Sequence, residues 1–237
     1  MSSLASIARS VLIPLPEVAR MTALRRSTTL FSQEQLADSL YLIEEGLVKL
    51  TRTSPTGSRI ILTICGLGHV VGEEVLSGDS ASYYAEAETL TTSTVVRIPA
   101  YVLHRTMQSN SELANAVTNA IIQQKRALAE KIEMLCLHDV EHRILFYLAE
   151  LSSLVKPDTE GEGYQLPITQ LELADLIGAT RETTSTTLNQ LERRGLVRLS
   201  RRLLTIPSPS TLLSAARSRS NDAEANVATP VGIGTVA

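Results

Sequence analysis

Between residues 28 and 99, apolar and polar positions change places over short runs: LYLIEEGLVKLTR, RIILTICGLG, HVVGEEVL and YYAEAETLTTSTVVRIP. Alternation with period two marks strands that bury one face. Glu45-Gly46, Pro55-Thr56-Gly57 and Ser77-Gly78-Asp79 supply turn chemistry between them. Short strands at such close spacing predict a compact β-roll or barrel over residues 21–110. From residue 100 the period lengthens. AYVLHRTMQSNSELANAVTNAIIQQKRALAEKIEMLCL reads as a long helical stretch, bent or interrupted near Ser109-Asn110-Ser111, with its main helix over 111–137. A second helix, VEHRILFYLAELSSLV, follows with Asp139 as its N-cap, and KPDTEGEGYQLP reads as a surface loop. A small domain is expected over 138–207. Neither period holds at the ends: residues 1–20 read as a weakly structured leader, and 208–237 as a small, polar, disordered tail.

Two short helices carry the chemistry. Thr169-Gln170-Leu171-Glu172 is a capping box, and it opens a helix whose Leu173, Ala174 and Ile177 face inward. Gly178 ends that helix and Thr180 caps the next, which stops at Gly195. A small alanine four residues before the turn glycine lets two helices approach closely, so the spacing is that of a helix-turn-helix. GLVRLSRRLLTIP then alternates apolar and basic residues around Ser200-Arg201, as a two-stranded wing would. The second helix carries little fit for a core before Leu188 and Leu191. Arg181, Glu182, Thr183, Ser185, Thr186 and Asn189 form a surface of short hydroxyls, one arginine and one carboxylate, which a DNA major groove accepts. Thr169 and Gln170 open the first helix at the same interface, and Arg201 and Arg202 at the wing tip would hold phosphates.

In the long helix Val117, Ile121, Gln124, Leu128 and Leu135 recur at spacings built from four and three residues, the seam of a coiled coil between two copies. Gln124 would set its register. A two-fold dimer would place two reading helices about 34 Å apart on duplex DNA.

Composition adjusts this picture only locally. The net charge is −3, but residues 169–207 hold six arginines against four carboxylates, so the basic surface is confined to the DNA-reading segment. No run of apolar residues is long enough for a membrane span, and two scattered cysteines, Cys65 and Cys136, fit a reducing, cytoplasmic compartment better than a disulfide framework. Cys65/His69 and His138/His142 are each four apart, but neither pair makes a metal set, and no metal is expected. Adjacent carboxylates such as Glu44-Glu45 and Glu73-Glu74 point to opposite faces of a strand, and no nucleophile motif or phosphate loop occurs, so an enzyme is not expected.

Three stretches together resemble the Crp/Fnr (cyclic-AMP receptor protein / fumarate–nitrate regulator) family of bacterial transcription factors. They are SLYLIEEGLVKLTRTSPTGSRIILTICGLGHVVGEEVLSG, the long helix running into LHDVEHRILFYLAEL, and LPITQLELADLIGATRETTSTTLNQLERRGLV. Gly72-Glu73 and Arg181-Glu182-Thr183 match family motifs residue for residue. The resemblance implies an α+β chain: an N-terminal cyclic-nucleotide-binding-like jelly roll as sensor, a dimerisation helix and a C-terminal winged helix-turn-helix. Its implied partners are double-stranded DNA, a second copy of the chain and RNA polymerase.

It also implies an effector pocket at Gly72, Glu73, Ser82, Tyr83 and Leu128. There the chain departs from members that bind cyclic AMP. They carry Arg-Ser about ten residues after Gly-Glu, whereas this chain has Ala81-Ser82-Tyr83-Tyr84; the polar pair that meets adenine is here Leu128-Ala129. A phosphate without a cation loses charge-assisted hydrogen bonds, so cyclic AMP is not expected; a different small molecule, or none, stays open. The cysteine set of the family's iron–sulfur branch is absent from the sequence. In the reading helix, Thr186 stands where many members have an arginine that contacts guanine, and Thr184 and Thr187 replace apolar packing positions, which should loosen the helix. The competing reading is a small-molecule-binding or protein-interaction module whose helix-turn-helix no longer binds DNA.

Overall fold

The computed structural model describes residues 4–78, 80–157 and 163–227. The chain divides into two compact units: Met1–Glu133 with Ala174–Gly178, and Met134–Leu173 with Ala179–Ala237.

The first unit is the expected β-roll. Its strands are β1 (Ala19–Leu24), β2 (Thr29–Phe31), β3 (Ser39–Glu45), β4 (Val48–Thr53), β5 (Arg59–Cys65), β6 (Val70–Val71), β7 (Glu86–Thr89) and β8 (Ser93–Pro99). They form two four-stranded sheets in the orders β1-β8-β3-β6 and β2-β7-β4-β5, with antiparallel pairing throughout. β3 is buried along nearly its whole length, and Leu40, Leu42, Ile43, Val48, Val71, Val95 and Val96 belong to one buried hydrophobic cluster. The β3–β4 turn needs its glycine. Gly46 has φ +82°, and a Cβ there would lie 2.3 Å from Ser93 Oγ.

The leader is not loose. Helix α1 (Leu4–Val11) carries apolar residues at positions 4, 7, 8 and 11, and Ile7, Ala8 and the following Leu12 are buried in the roll's core. The helical stretch after the roll is two helices, α2 (Ala100–Ser109) and α3 (Ser111–Leu137). The interruption falls where it was expected. Asn110 is extended, and its Oδ1 accepts from Leu113 N at 2.9 Å, which caps α3.

The residues expected to form a dimer seam on α3 fall into different environments. Val117 is 1% exposed and belongs to the roll's own core, Ile121 packs beside it, and Gln124 donates to Val70 O at 2.6 Å. Further along the same stripe Leu128 and Ile132 are about half exposed, as is Ile122 roughly a third of a turn from Leu128, and Leu137 at the end of the helix is 73% exposed. Leu135 is half-buried. Lys131, buried like a core residue, donates to Ile61 O at 2.6 Å and to Leu176 O at 2.8 Å. Leu176 lies in the last turn of α5 (Gln170–Ile177), where a carbonyl lacks a partner within its own helix and attracts a cation.

The second unit is built around α4 (Val140–Ser153). It packs against α6 (Arg181–Arg193), α7 (Pro209–Val227) and a three-stranded sheet of β9 (Tyr164–Leu166), β10 (Arg198–Ser200) and β11 (Leu203–Ile206), in the order β10-β11-β9. Asp139 caps α4 as expected, accepting from His142 N at 2.8 Å. Two expectations fail. The surface loop contributes β9, whose Leu166 is buried opposite Leu204, while residues 158–162 lie outside the described residues. The segment after 208 begins with a helix: Pro209 occupies its first position, and Leu212 and Ala216, one turn apart, are buried. The rest of the expected tail, 228–237, lies outside the described residues.

Candidate nucleic-acid interface

The local signals that frame α5 and α6 are all realised. Thr169 N donates to Glu172 Oε2 at 2.9 Å, and Glu172 N donates to Thr169 Oγ1 at 3.1 Å, a reciprocal capping box. Gly178 has φ +63°, and two residues later Thr180 Oγ1 accepts from Thr183 N at 3.2 Å, so α6 starts at Arg181. At the other end Gly195 has φ +71°; Leu196 N donates to Leu191 O at 3.0 Å and Gly195 N to Glu192 O at 2.8 Å, a Schellman stop.

Thr184, Leu188 and Leu191 form the buried face of α6. Thr184 is fully buried, and its hydroxyl donates to Thr180 O at 2.9 Å, so no polar atom is stranded. Thr187 does the same to Thr183 O. The opposite face carries Glu182, Thr186, Asn189 and Arg193, all exposed, with exposed Arg181 and half-buried Ser185 beside them. Thr183 is exposed but shares its hydroxyl with Thr180 at 2.9 Å, and the half-buried Thr169 spends its hydroxyl on Glu172. Gln170 is half-buried at the first position of α5.

The wing is tied to α6. Glu192 Oε1 accepts from Leu199 N at 2.8 Å, which fixes β10 against the helix end. Arg201 and Arg202 stand exposed at the β10–β11 turn, where Arg202 takes φ +63°. Arg198 is exposed beside them, while Arg194 is held by Glu141, a nearly buried carboxylate, at 2.6 Å. The cationic surface is therefore Arg181, Arg193, Arg198, Arg201 and Arg202.

Of the residues expected to form an effector pocket, Gly72, Glu73 and Tyr83 lie together. Ser82 and Leu128 are exposed, and Tyr83 is fully buried. The Tyr83 ring stacks on Phe31 at 3.8 Å between centroids, and its hydroxyl donates to Ser39 O at 2.7 Å and accepts from Ser39 N at 3.0 Å. Gly72, with φ +87°, leaves only enough room for this ring: a Cβ there would lie 3.0 Å from Tyr83 Cε1 and 2.9 Å from Ser39 O. Burial raises the carboxyl pKa of neighbouring Glu73 against the pull of backbone N–H groups, and burial beside Glu73 pushes the Cys65 thiol up to about 12. The wall at Gly72 is thus packed and acid-lined.

Among the described residues no three His, Cys, Asp or Glu side chains gather to hold a metal. His69 Nδ1 is engaged with Gly66 O at 3.1 Å. The rings of His138 and His142, which flank the start of α4, stack at 4.0 Å. No helix among the described residues is long and apolar enough to cross a membrane.

Comparison with known proteins supports both units. A family model for the cyclic nucleotide-binding domain matches residues 21–110, and one for the Crp-like helix-turn-helix domain matches residues 142–215. The cAMP-activated global transcriptional regulator CRP of Haemophilus influenzae is 26% identical over 170 residues, covering 72% of this chain and 76% of that protein. The CRP-like cAMP-activated global transcriptional regulator of Mycobacterium tuberculosis is 28% identical over 194 residues, 81% of this chain and 86% of that protein. Among solved structures, a CRP-family transcriptional regulator from Thermus thermophilus, TTHB099, superposes with TM-score 0.72 at 26% identity, covering 84% of this chain and 96% of that one. FixK2 from Bradyrhizobium japonicum shares the fold at TM-score 0.72 and 20% identity, over 83% of this chain and 96% of its own.

Proposed function

Because the chain belongs to the Crp/Fnr family of DNA-binding transcription regulators, we propose that it acts as a homodimer, reads a palindromic operator and does so without cyclic AMP. The observation that carries the reading is α6: a capped helix whose outer face is short hydroxyls, an amide, a carboxylate and arginines, beside an arginine-tipped wing. Arg181, Glu182, Ser185 and Thr186 read base edges, whereas Arg198, Arg201 and Arg202 meet phosphates and fix register. Thr169 and Gln170 place the start of α5 at the same interface.

Ile122, Leu128 and Ile132 on α3 make the dimer seam, in place of Val117 and Gln124, which the chain's own roll occupies. The chemistry around Gly72 does not fit a cyclic nucleotide. The Tyr83 ring stands against Gly72, and Ala81 brings no cation to meet a phosphate. Any effector is of another kind. RNA polymerase is the further partner such a regulator implies, and the bacterial cytoplasm its compartment.

The test is enrichment from a random duplex library by the purified full chain. A palindrome should emerge without any nucleotide added, and millimolar cyclic AMP should leave both the unfolding midpoint and the operator affinity unchanged. Arg181→Ala should relax one base position by ~1–3 kcal/mol, and Arg201→Ala should weaken all duplexes alike and flatten the salt dependence. Failure to enrich any sequence at low ionic strength would overturn the proposal.

A further inference from the structure

Resting on the proposal that α6 reads DNA, we infer that Asn189 is the residue that selects an adenine in each half-site. The outer row of α6 runs Glu182, Thr186, Asn189, Arg193, at steps of four, three and four, directly opposite buried Thr184, Leu188 and Leu191. Asn189 is exposed at the middle of that row, and among the described residues its carboxamide has no hydrogen-bond partner. Thr183 shares its hydroxyl with Thr180, and Thr187 donates its own to Thr183 O.

The turn preceding Asn189 determines how deeply it reaches. Ser185 and Thr186 are short, so α6 can settle close to the floor of the groove, where a long side chain at 186 would hold the backbone away. At that depth a two-carbon amide is long enough to touch a base edge. Its chemistry then singles out one base. In the major groove adenine presents an acceptor, N7, beside a donor, the N6 amino group, which the NH2 and C=O of a carboxamide match in one plane. Guanine offers two acceptors, so the Asn189 carbonyl would meet O6 without a proton between them. Thymine and cytosine have no N7. Gln190, the next amide along, points about 100° away and leaves the row. Arg193, one turn further on, remains free to meet the backbone beyond.

The experiment starts from the enriched operator. Asn189→Ala, at an exposed position and with its unfolding midpoint confirmed unchanged, should lose preference at one adenine per half-site, roughly tenfold to a hundredfold, while other positions keep theirs. Replacing that adenine with 7-deaza-2′-deoxyadenosine, which lacks the N7 acceptor, should weaken the wild type but leave Asn189→Ala indifferent. Two results overturn the inference while leaving DNA reading intact. Either Asn189→Ala selects the same operator with unchanged preferences, or 7-deaza substitution at every adenine has no effect although Glu182→Ala still alters the sequence selected. A wild type that enriches nothing removes the proposed function and this inference with it.

Discussion

Thr184 shows what a single side chain decides in this protein. On sequence grounds a threonine on the buried face should loosen α6, yet its hydroxyl is satisfied by Thr180 O within the same helix and its methyl lies in the core. Such back-bonding to the preceding turn is mildly unfavourable to a helix, and Thr184 N keeps Thr180 O paired at 3.0 Å without it. Thr184→Val should therefore leave the unfolding midpoint unchanged or raise it, by up to ~1 kcal/mol in denaturant titration; a clear loss would show that the hydroxyl holds the cap region. Glu73 makes the opposite kind of contribution. Its pKa is raised in the fold, chiefly by burial, so whatever stability its protonated form retains in acid is lost as pH rises through that folded value. Glu73→Gln removes this dependence. The variant should melt higher than the wild type near pH 7, with the gap closing below the ordinary carboxylate range; a gap that widens in acid would mean the charged form is the stabilised one.

At the scale of elements, what could be read from the chain was what is encoded locally. The Thr169/Glu172 box, the Thr180 and Asp139 caps, the break at Asn110 and the stop at Gly195 each involve residues within a few positions of one another, and each is present. What could not be read depended on a distant surface. Helix α1 has two turns of apolar spacing followed by prolines, too little to outweigh a loop until the roll provides a face for Ile7 and Leu12. Helix α3 carries one apolar stripe, and only packing on the roll decides that Val117 and Gln124 are covered while Leu128 and Ile132, further along it, stay in solvent. The sequence likewise shows a tyrosine at 83 but not that its ring turns inward onto Phe31. Helix α7 is the most exposed to test. Leu212 is fully buried in a segment whose composition suggests disorder, so Leu212→Ala should destabilise the protein by ~2–5 kcal/mol in chemical unfolding. In a disordered tail the same change would do nothing.

For the whole molecule the consequences come from the unpaired row on α3. Ile122, Leu128 and Ile132 are 54%, 47% and 58% exposed, an arrangement a single copy gains little from. If this row is the seam, Ile122→Glu with Ile132→Glu should yield a folded monomer by sedimentation, since neither side chain supports the roll's core. Val117→Ala, by contrast, should lower the unfolding midpoint and leave the dimer intact. The monomer should lose the operator but keep weak, salt-sensitive binding to any duplex, because the arginines at the wing remain while the second reading helix is gone. DNA geometry supplies an independent check. Two recognition helices related by a two-fold axis need half-sites about one helical turn apart, ~10 base pairs, so inserting about half a turn between them puts the second half-site on the far side of the duplex. Affinity for that spaced operator should fall to the level of the engineered monomer on the original one. If instead the two glutamate substitutions leave a dimer that still distinguishes the original spacing, the copies meet through another surface and the exposed row on α3 serves something else.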